Sequence, residues 1–334
     1  MRLSALVPSI SADSVKVLEG AGIRTDTDLL FTPTSEIYKR LPRGSISLQE
    51  LARLCTAVTE LTSANPVIGI DALQREEARL ARDTNLELAV GNEAIDNFLR
   101  GLGGRKVIEI SGNRASGKTA LALNLVLNHL SHHPNDKAAW IDVLGDFSPA
   151  NASAILQGSG STSPQSVLER LLVSLAFDLE TLHAILDELF VPGSTGQLKY
   201  LVIDSITPLL GPFLTGITAH GHAMMTDFMR RLRCISSSDG VTVLVVNSAT
   251  LKQGVDGTIP SGQIERKPAL GPSFTFMTDT TLWLSEMKVQ ATDEPVDASI
   301  ESVSSLKILN SRNTVSGVAL PFRISGGTIL PVMQ

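Results

Sequence analysis

The sequence predicts an α/β core, a mostly parallel sheet flanked by helices, with a small all-helical domain in front of it. Three observations carry that prediction. Apolar runs at 105–110, 138–142, 200–204 and 241–246 read as buried strands separated by helical spans, the order that builds a parallel sheet covered on both faces. One strand-to-helix junction, residues 112–119, reads Gly-Asn-Arg-Ala-Ser-Gly-Lys-Thr and fits Gly-x-x-x-x-Gly-Lys-[Ser/Thr] without a substitution. Residues 1–64 show apolar positions at helical spacing instead.

Taken in order, Ser11 can cap a first helix that carries Val15, Val17 and Leu18 and stops at Gly20-Ala21-Gly22-Ile23. Thr25 restarts helix through Leu30, a third piece covers 34–41, and a longer one covers 47–63 with Leu48, Leu51, Leu54, Val58 and Leu61 on one face. The turn at 18–23 resembles a helix-hairpin-helix, whose turn N–H groups can hold a phosphate; a bundle that docks on protein is the equal alternative. Nearby Lys39, Arg40 and Arg43 read as a solvated face. Asn65-Pro66 breaks the last helix, and residues 65–85 read as a linker in which 67–73 is extended.

The second domain spans 86–334. A short helix at 91–99 leads into the strand at 105–110, and an apolar helix at 120–130 follows the glycine-rich junction. Next come the strand at 138–142, one helical span over 166–190, the strand at 200–204, a helix at 224–235 and the strand at 241–246. Short β-like segments at 280–284, 305–309 and 320–324 suit an added antiparallel edge.

The junction has residue types that a phosphate chain requires. Gly112 and Gly117 let the backbone curl so that successive N–H groups point inward, with Asn113, Arg114, Ala115 and Ser116 forming the loop between them. The helix behind adds its positive end. Lys118 would reach the β- and γ-phosphates of ATP and the Thr119 hydroxyl would ligate Mg2+. The strand 200–204 ends in Asp204, which suits a second Mg2+ contact, direct or through water.

Composition excludes several classes. No run of 18 apolar residues occurs, and Pro8 follows too soon after the start for a signal-peptide core, so nothing points to membrane or secretion. The two cysteines, Cys55 and Cys234, fall in helical stretches and read as buried free thiols. A net charge of -6 argues against a surface that coats nucleic acid as a whole. His129, His132 and His133 read as a polar helix end, since no cysteine or paired carboxylate accompanies them at metal-ligand spacing.

These pieces together resemble the RecA-like recombinases of eukaryotes and archaea, and within them the recombinase paralogues, the D-type in particular. The resemblance rests on residues 112–119, 140–145, 201–207, 245–247 and 267–274. It implies a RecA-like P-loop ATPase core and a nuclear DNA-repair protein. It also implies partners, namely other recombinase paralogues and the main recombinase on single-stranded or branched DNA, in a hetero-oligomer. Active members have Asp-x-Glu-Gly, whose glutamate positions the attacking water; here the stretch is Asp142-Val143-Leu144-Gly145, so Leu144 leaves no general base. Asp146 lies two residues on. The family's γ-phosphate-sensing glutamine is Ser248 here.

The family's DNA-facing loops map to about 211–225, with His220 and His222, and 248–271, with Lys252, Arg266 and Lys267 as candidate contacts. Related proteins dock a short apolar stretch as an added strand on a neighbour's sheet, and Val67, Ile68 and Ile70 are the candidates for that role. The implied activity is ATP binding with weak hydrolysis. A nucleotide-indifferent scaffold, or a DNA-dependent ATPase completed in trans by a neighbour, are the alternatives.

Overall fold

Strands that are buried on both faces are near-continuously apolar, and the central strands here are so apart from Glu109 and Ser111 in β1 and Thr242 and Asn247 in β5. In a computed structural model, which describes residues 1–63, 67–82, 87–161, 163–191, 197–214, 220–251, 266–287 and 303–332, the chain divides into two compact units, residues 1–78 and 79–334.

The first unit holds α1 (Ala12–Gly20), α2 (Asp26–Phe31), α3 (Thr34–Arg40) and α4 (Leu48–Thr62). Leu18, Ile23, Leu29, Ile37, Leu51 and Val58 interlock in its core. Capping boxes at Thr25 and Ser47 fix the starts of α2 and α4. The turn after α1 ends in Gly22 at φ 84°, where the N–H groups of Ala21, Gly22 and Ile23 bond back to Val17, Glu19 and Leu18. The next N–H groups are also occupied. Arg24 and Thr25 donate to the Asp28 carboxylate, Asp26 to the Met1 carbonyl, Thr27 to the Asp26 carboxylate, and Asp28 to the Thr25 hydroxyl. The donors expected to be available for a phosphate are therefore all engaged within the unit.

The stretch expected to be extended at 67–73 is instead the start of a helix, α5 (Gly69–Arg82). From Gly69 to Arg82 the sequence contains no proline and is dominated by Ala, Leu, Gln, Arg and Glu, which favour helix. Val67, Ile68 and Ile70 are exposed.

The second unit runs α6 (Glu93–Leu99), β1 (Val107–Gly112), α7 (Lys118–His132), β2 (Lys137–Asp142), α8 (Pro149–Gly158), α9 (Pro164–Leu168), β3 (Leu171–Leu175) and α10 (Leu179–Leu189). It continues with β4 (Leu198–Asp204), α11 (Thr207–Leu210), α12 (His220–Asp239), β5 (Thr242–Leu251), β6 (Arg266–Pro268) and α13 (Gly271–Met277). It closes with β7 (Thr280–Glu286), β8 (Val303–Ser311), β9 (Ala319–Ser325) and β10 (Thr328–Pro331). The sheet order is β10-β9-β8-β7-β1-β5-β4-β2-β3, parallel from β3 to β7 and antiparallel from β7 onward, with β6 paired to β5.

Alternate strand residues feed two cores. Ile108, Ile110, Trp140, Val202 and Leu244 pack with α7 on one face, and Val107, Ile141, Leu201, Ile203 and Val245 pack with α10 and α12 on the other. The helical span expected over 166–190 is in fact α9, the edge strand β3 and α10. Leu171-Leu172-Val173-Ser174-Leu175 pairs in parallel with β2, and Asp178 then caps α10 through the Thr181 N–H. Cys55 is half-buried, but Cys234 is exposed rather than buried, so that expectation fails.

Candidate nucleotide site

β1 carries the chain to the C-terminal edge of the sheet beside β7, and the loop begins where there is no room for a side chain. A Cβ on Gly112 would lie 2.1 Å from the Leu284 carbonyl oxygen. The backbone is held there by Asn113, whose N–H donates to that same oxygen at 3.2 Å. Ala115 at φ 59° and Gly117 at φ 90° turn the chain left-handed twice, the alternation that makes a concave nest of N–H groups. A Cβ on Gly117 would meet the Ile324 side chain at 2.3 Å.

α7 starts at Lys118 with no side-chain cap from Gly117. The N–H groups of its first turn lack intrahelical acceptors, and its positive end faces the loop. The far side of α7 is braced by the C-terminal hairpin. Asn124 donates to the Gly327 carbonyl at 2.8 Å and accepts from the Ile329 N–H at 3.5 Å.

The charged groups converge on this cradle. The Lys118 ammonium donates to the Asn113 carbonyl at 2.6 Å, and the Thr119 hydroxyl donates to Asp204 Oδ2 at 2.7 Å. Burial pushes the Lys118 pKa down, opposed by the negative charge of Asp204. Burial raises the Asp204 carboxyl above its usual range, against the Thr119 hydrogen bond and Lys118, while Asp142 and Asp146 push it further up. Gly112, Asn113, Arg114, Ala115, Ser116, Gly117, Lys118, Thr119 and Asp204 are thus brought together as the sequence predicts. The residues fit a polyphosphate with a divalent cation. Lys118 brings positive charge to the loop, the first-turn N–H groups of α7 lack intrahelical acceptors and have no side-chain cap, and Thr119 with Asp204 offers the oxygen pair a hard cation takes.

The loop after β2 is equally well held. The Asp142 carboxylate accepts the N–H groups of Leu144, Gly145 and Phe147 at 3.0, 2.8 and 2.8 Å. The Leu144 side chain is 56% exposed, with no hydrogen-bonding group.

Sequence reasoning missed a polar network beneath the site. Glu109, fully buried in β1, accepts from Asn247 Nδ2 at 2.7 Å and from the Thr281 hydroxyl at 2.9 Å. Burial raises its pKa, with both hydrogen bonds opposing. Thr207 donates to Asn247 Oδ1 at 2.8 Å and accepts the Ser248 N–H at 2.8 Å. The signal was a lone carboxylate inside an apolar strand, Val107-Ile108-Glu109-Ile110.

Of the candidate nucleic-acid contacts, Lys252 lies outside the described residues. Arg266 and Lys267 are exposed on β6, opposite Leu251 and Thr250. His220 and His222 are exposed at the start of α12.

Comparison with known proteins follows the same lines. The Rad51 family model matches residues 81–297. The chain is 30% identical over 290 residues to "DNA repair protein RAD51 homolog 4" of Bos taurus, covering 84% of each chain. It is 27% identical over 293 residues to the protein of the same name in Mus musculus, covering 85% of this chain and 84% of that one. Among solved structures, the RadB recombinase superposes with a TM-score of 0.56 at 20% identity, over 74% of this chain and all of the other, and so shares its fold.

Proposed function

The chain belongs to the Rad51 family, and from that premise we propose that it is an ATP-binding recombinase paralogue of homologous-recombination DNA repair. It supports assembly of the main recombinase on single-stranded or branched DNA, in the nucleus, as one subunit of a hetero-oligomer of paralogues. The observation that carries the reading is the pairing of a complete phosphate cradle at 112–119 with a leucine, Leu144, where a general base belongs.

The N–H groups of the first turn of α7 and of the loop, apart from those of Asn113 and Ser116 which bond to the Leu284 and Asn113 carbonyls, hold the phosphates. Lys118, which now donates to the Asn113 carbonyl, would turn to phosphate oxygen, and Thr119 with Asp204 would hold Mg2+, whose chemistry is to neutralise charge on the phosphates. The Asp142 carboxylate is engaged by three N–H groups, which hold the loop that carries Leu144. Nucleotide therefore favours an assembly more than it drives turnover.

The partner surfaces are exposed and apolar. Among the described residues β3 ends the sheet, and its Leu172, Val173 and Leu175 are exposed beside a backbone edge that no described strand pairs, an edge that would accept a strand from a neighbour. Val67 and Ile68, just before α5, and Ile70 in its first turn keep a docking role as exposed apolar side chains rather than as an added strand. Arg266 and Lys267, with Lys252, give DNA contacts that weaken with salt.

The test is a melting and turnover experiment on the purified chain with Mg-ATP, with and without single-stranded DNA. A nucleotide-dependent rise in Tm that Lys118→Ala abolishes, with slow turnover, supports the reading. Brisk DNA-stimulated turnover lost in Lys118→Ala overturns the weak-hydrolysis part. No Tm change at millimolar Mg-ATP, alone or with partners, overturns the whole.

A further inference from the structure

We propose that His129, His133 and Asp136 form a transition-metal site of the zinc class, at the end of α7 opposite the phosphate loop. One ligand atom from each of the three lies within 4.8 Å of the others. Helical spacing of four puts the two imidazoles on one face, where they stack with centroids 4.2 Å apart. The turn to β2 then returns Asp136, whose Oδ2 stands 2.8 Å from His129 Nε2. The sequence reading of a polar helix end fails for His129, which is 4% exposed and packs against the Tyr200 ring.

The backbone around the cluster is fixed before any ion arrives. Arg170 donates to the carbonyls of Leu130, His133 and Asp136 at 2.6, 2.8 and 2.9 Å, pinning the end of α7 and the turn in one geometry. The His133 Nδ1 is tied to the His129 carbonyl at 3.0 Å, which places its proton there and leaves the Nε2 lone pair for a metal. The negative end of α7 favours a cation at this place.

Arg170 and Lys199 bring positive charge that works against the ion. A hard cation held by one carboxylate would lose that contest. Two imidazoles and one carboxylate suit Zn2+, Ni2+ or Cu2+ instead, with a further coordination position for water. On binding, the metal replaces the His129–Asp136 hydrogen bond and the ring's proton moves from Nε2 to Nδ1. The ion would clamp the last turn of α7 to the start of β2.

The experiment uses the full chain without a histidine tag, stripped with chelator, and titrated with Co2+ and then Zn2+. One equivalent of Co2+ giving visible d–d absorption that Zn2+ displaces is the expected result. His133→Ala and Asp136→Asn, both at half-buried positions, should each weaken binding by about tenfold or more, with the Mg-ATP shift in Tm unchanged. No Co2+ spectrum in the wild type overturns the proposal, and leaves a plain His–Asp hydrogen bond. Equal binding in the wild type and both variants overturns it too, because the metal then sits elsewhere. Should either variant fail to fold by circular dichroism, His133→Gln takes its place in the comparison with the wild type. Failure here leaves the nucleotide reading untouched.

Discussion

Two glycine-bearing turns lead into helices in this chain, one at 20–28 and one at 112–119, and they end in opposite states. In the first, every N–H from Ala21 to Asp28 already has an acceptor, and two of those acceptors are carboxylates, Asp26 and Asp28. In the second, the cap position is a glycine with no side chain to answer the helix, and the first helical residue is a lysine. A helix start attracts an anion only while its donors are unanswered. An acid in the first turn is the anion supplied from within. The same kind of punctuation thus gives a closed joint in one unit and an open cradle in the other.

The largest effect tests what the cradle can break rather than what it can hold. Leu144→Glu leaves the Asp142-anchored loop intact and supplies the missing base, so turnover of ATP should rise by about 100-fold or more, measured as phosphate release with DNA present. An unchanged rate would mean that the leucine is not what limits hydrolysis. Next in size, Lys118→Ala should erase the stabilisation by Mg-ATP, about 2.7 kcal/mol at 100 times Kd, in a melting curve. The matching change in the hairpin, Asp28→Ala, should leave the Mg-ATP shift as it was.

A pH series sharpens the contrast. Asp204 has a raised folded-state pKa, so its contribution to stability is present below the unfolded-state value of about 3.9 and is lost as pH rises through the folded value. The Tm of the nucleotide-free wild type should therefore fall, relative to that of Asp204→Asn, as pH rises through this window. Mg-nucleotide affinity should move the other way, weakening as Asp204 takes a proton at low pH. The smallest effect belongs to the closed joint. Thr25→Ala removes the α2 cap at a cost of about 1 kcal/mol in denaturant unfolding, and the salt dependence of DNA binding should not move. A changed salt slope would reopen the hairpin as a phosphate contact.

The cradle was legible because its chemistry restricts residue types at fixed spacing: Gly112, Gly117, Lys118 and Thr119 have few substitutes, and Asp204 stands at a strand end where a carboxylate can reach them. The split of 166–190 was not legible, since a leucine-rich run such as 171–175 fits either period and only pairing with β2 settles it. The helix α5 was hidden behind the break at Asn65-Pro66 and the β-branched Val67-Ile68. Occupied donors at the first turn could not be read either, because Asp26 N–H finds its acceptor at Met1. The approach of Asp136 to His129 depends on a turn pinned by Arg170, a partner distant in sequence.

The brace behind the cradle has a consequence for how the chain is made. Asn124 and Gly327 are 203 residues apart, and Ile324 fills the space against Gly117. A ribosome synthesises the loop long before the strands that steady it. During that interval the nascent loop lacks its backing, and it is completed only when the final hairpin emerges and joins the sheet. Frameshifts in the closing stretch of the message would therefore be felt at the glycine-rich loop, whose own residues they leave unaltered.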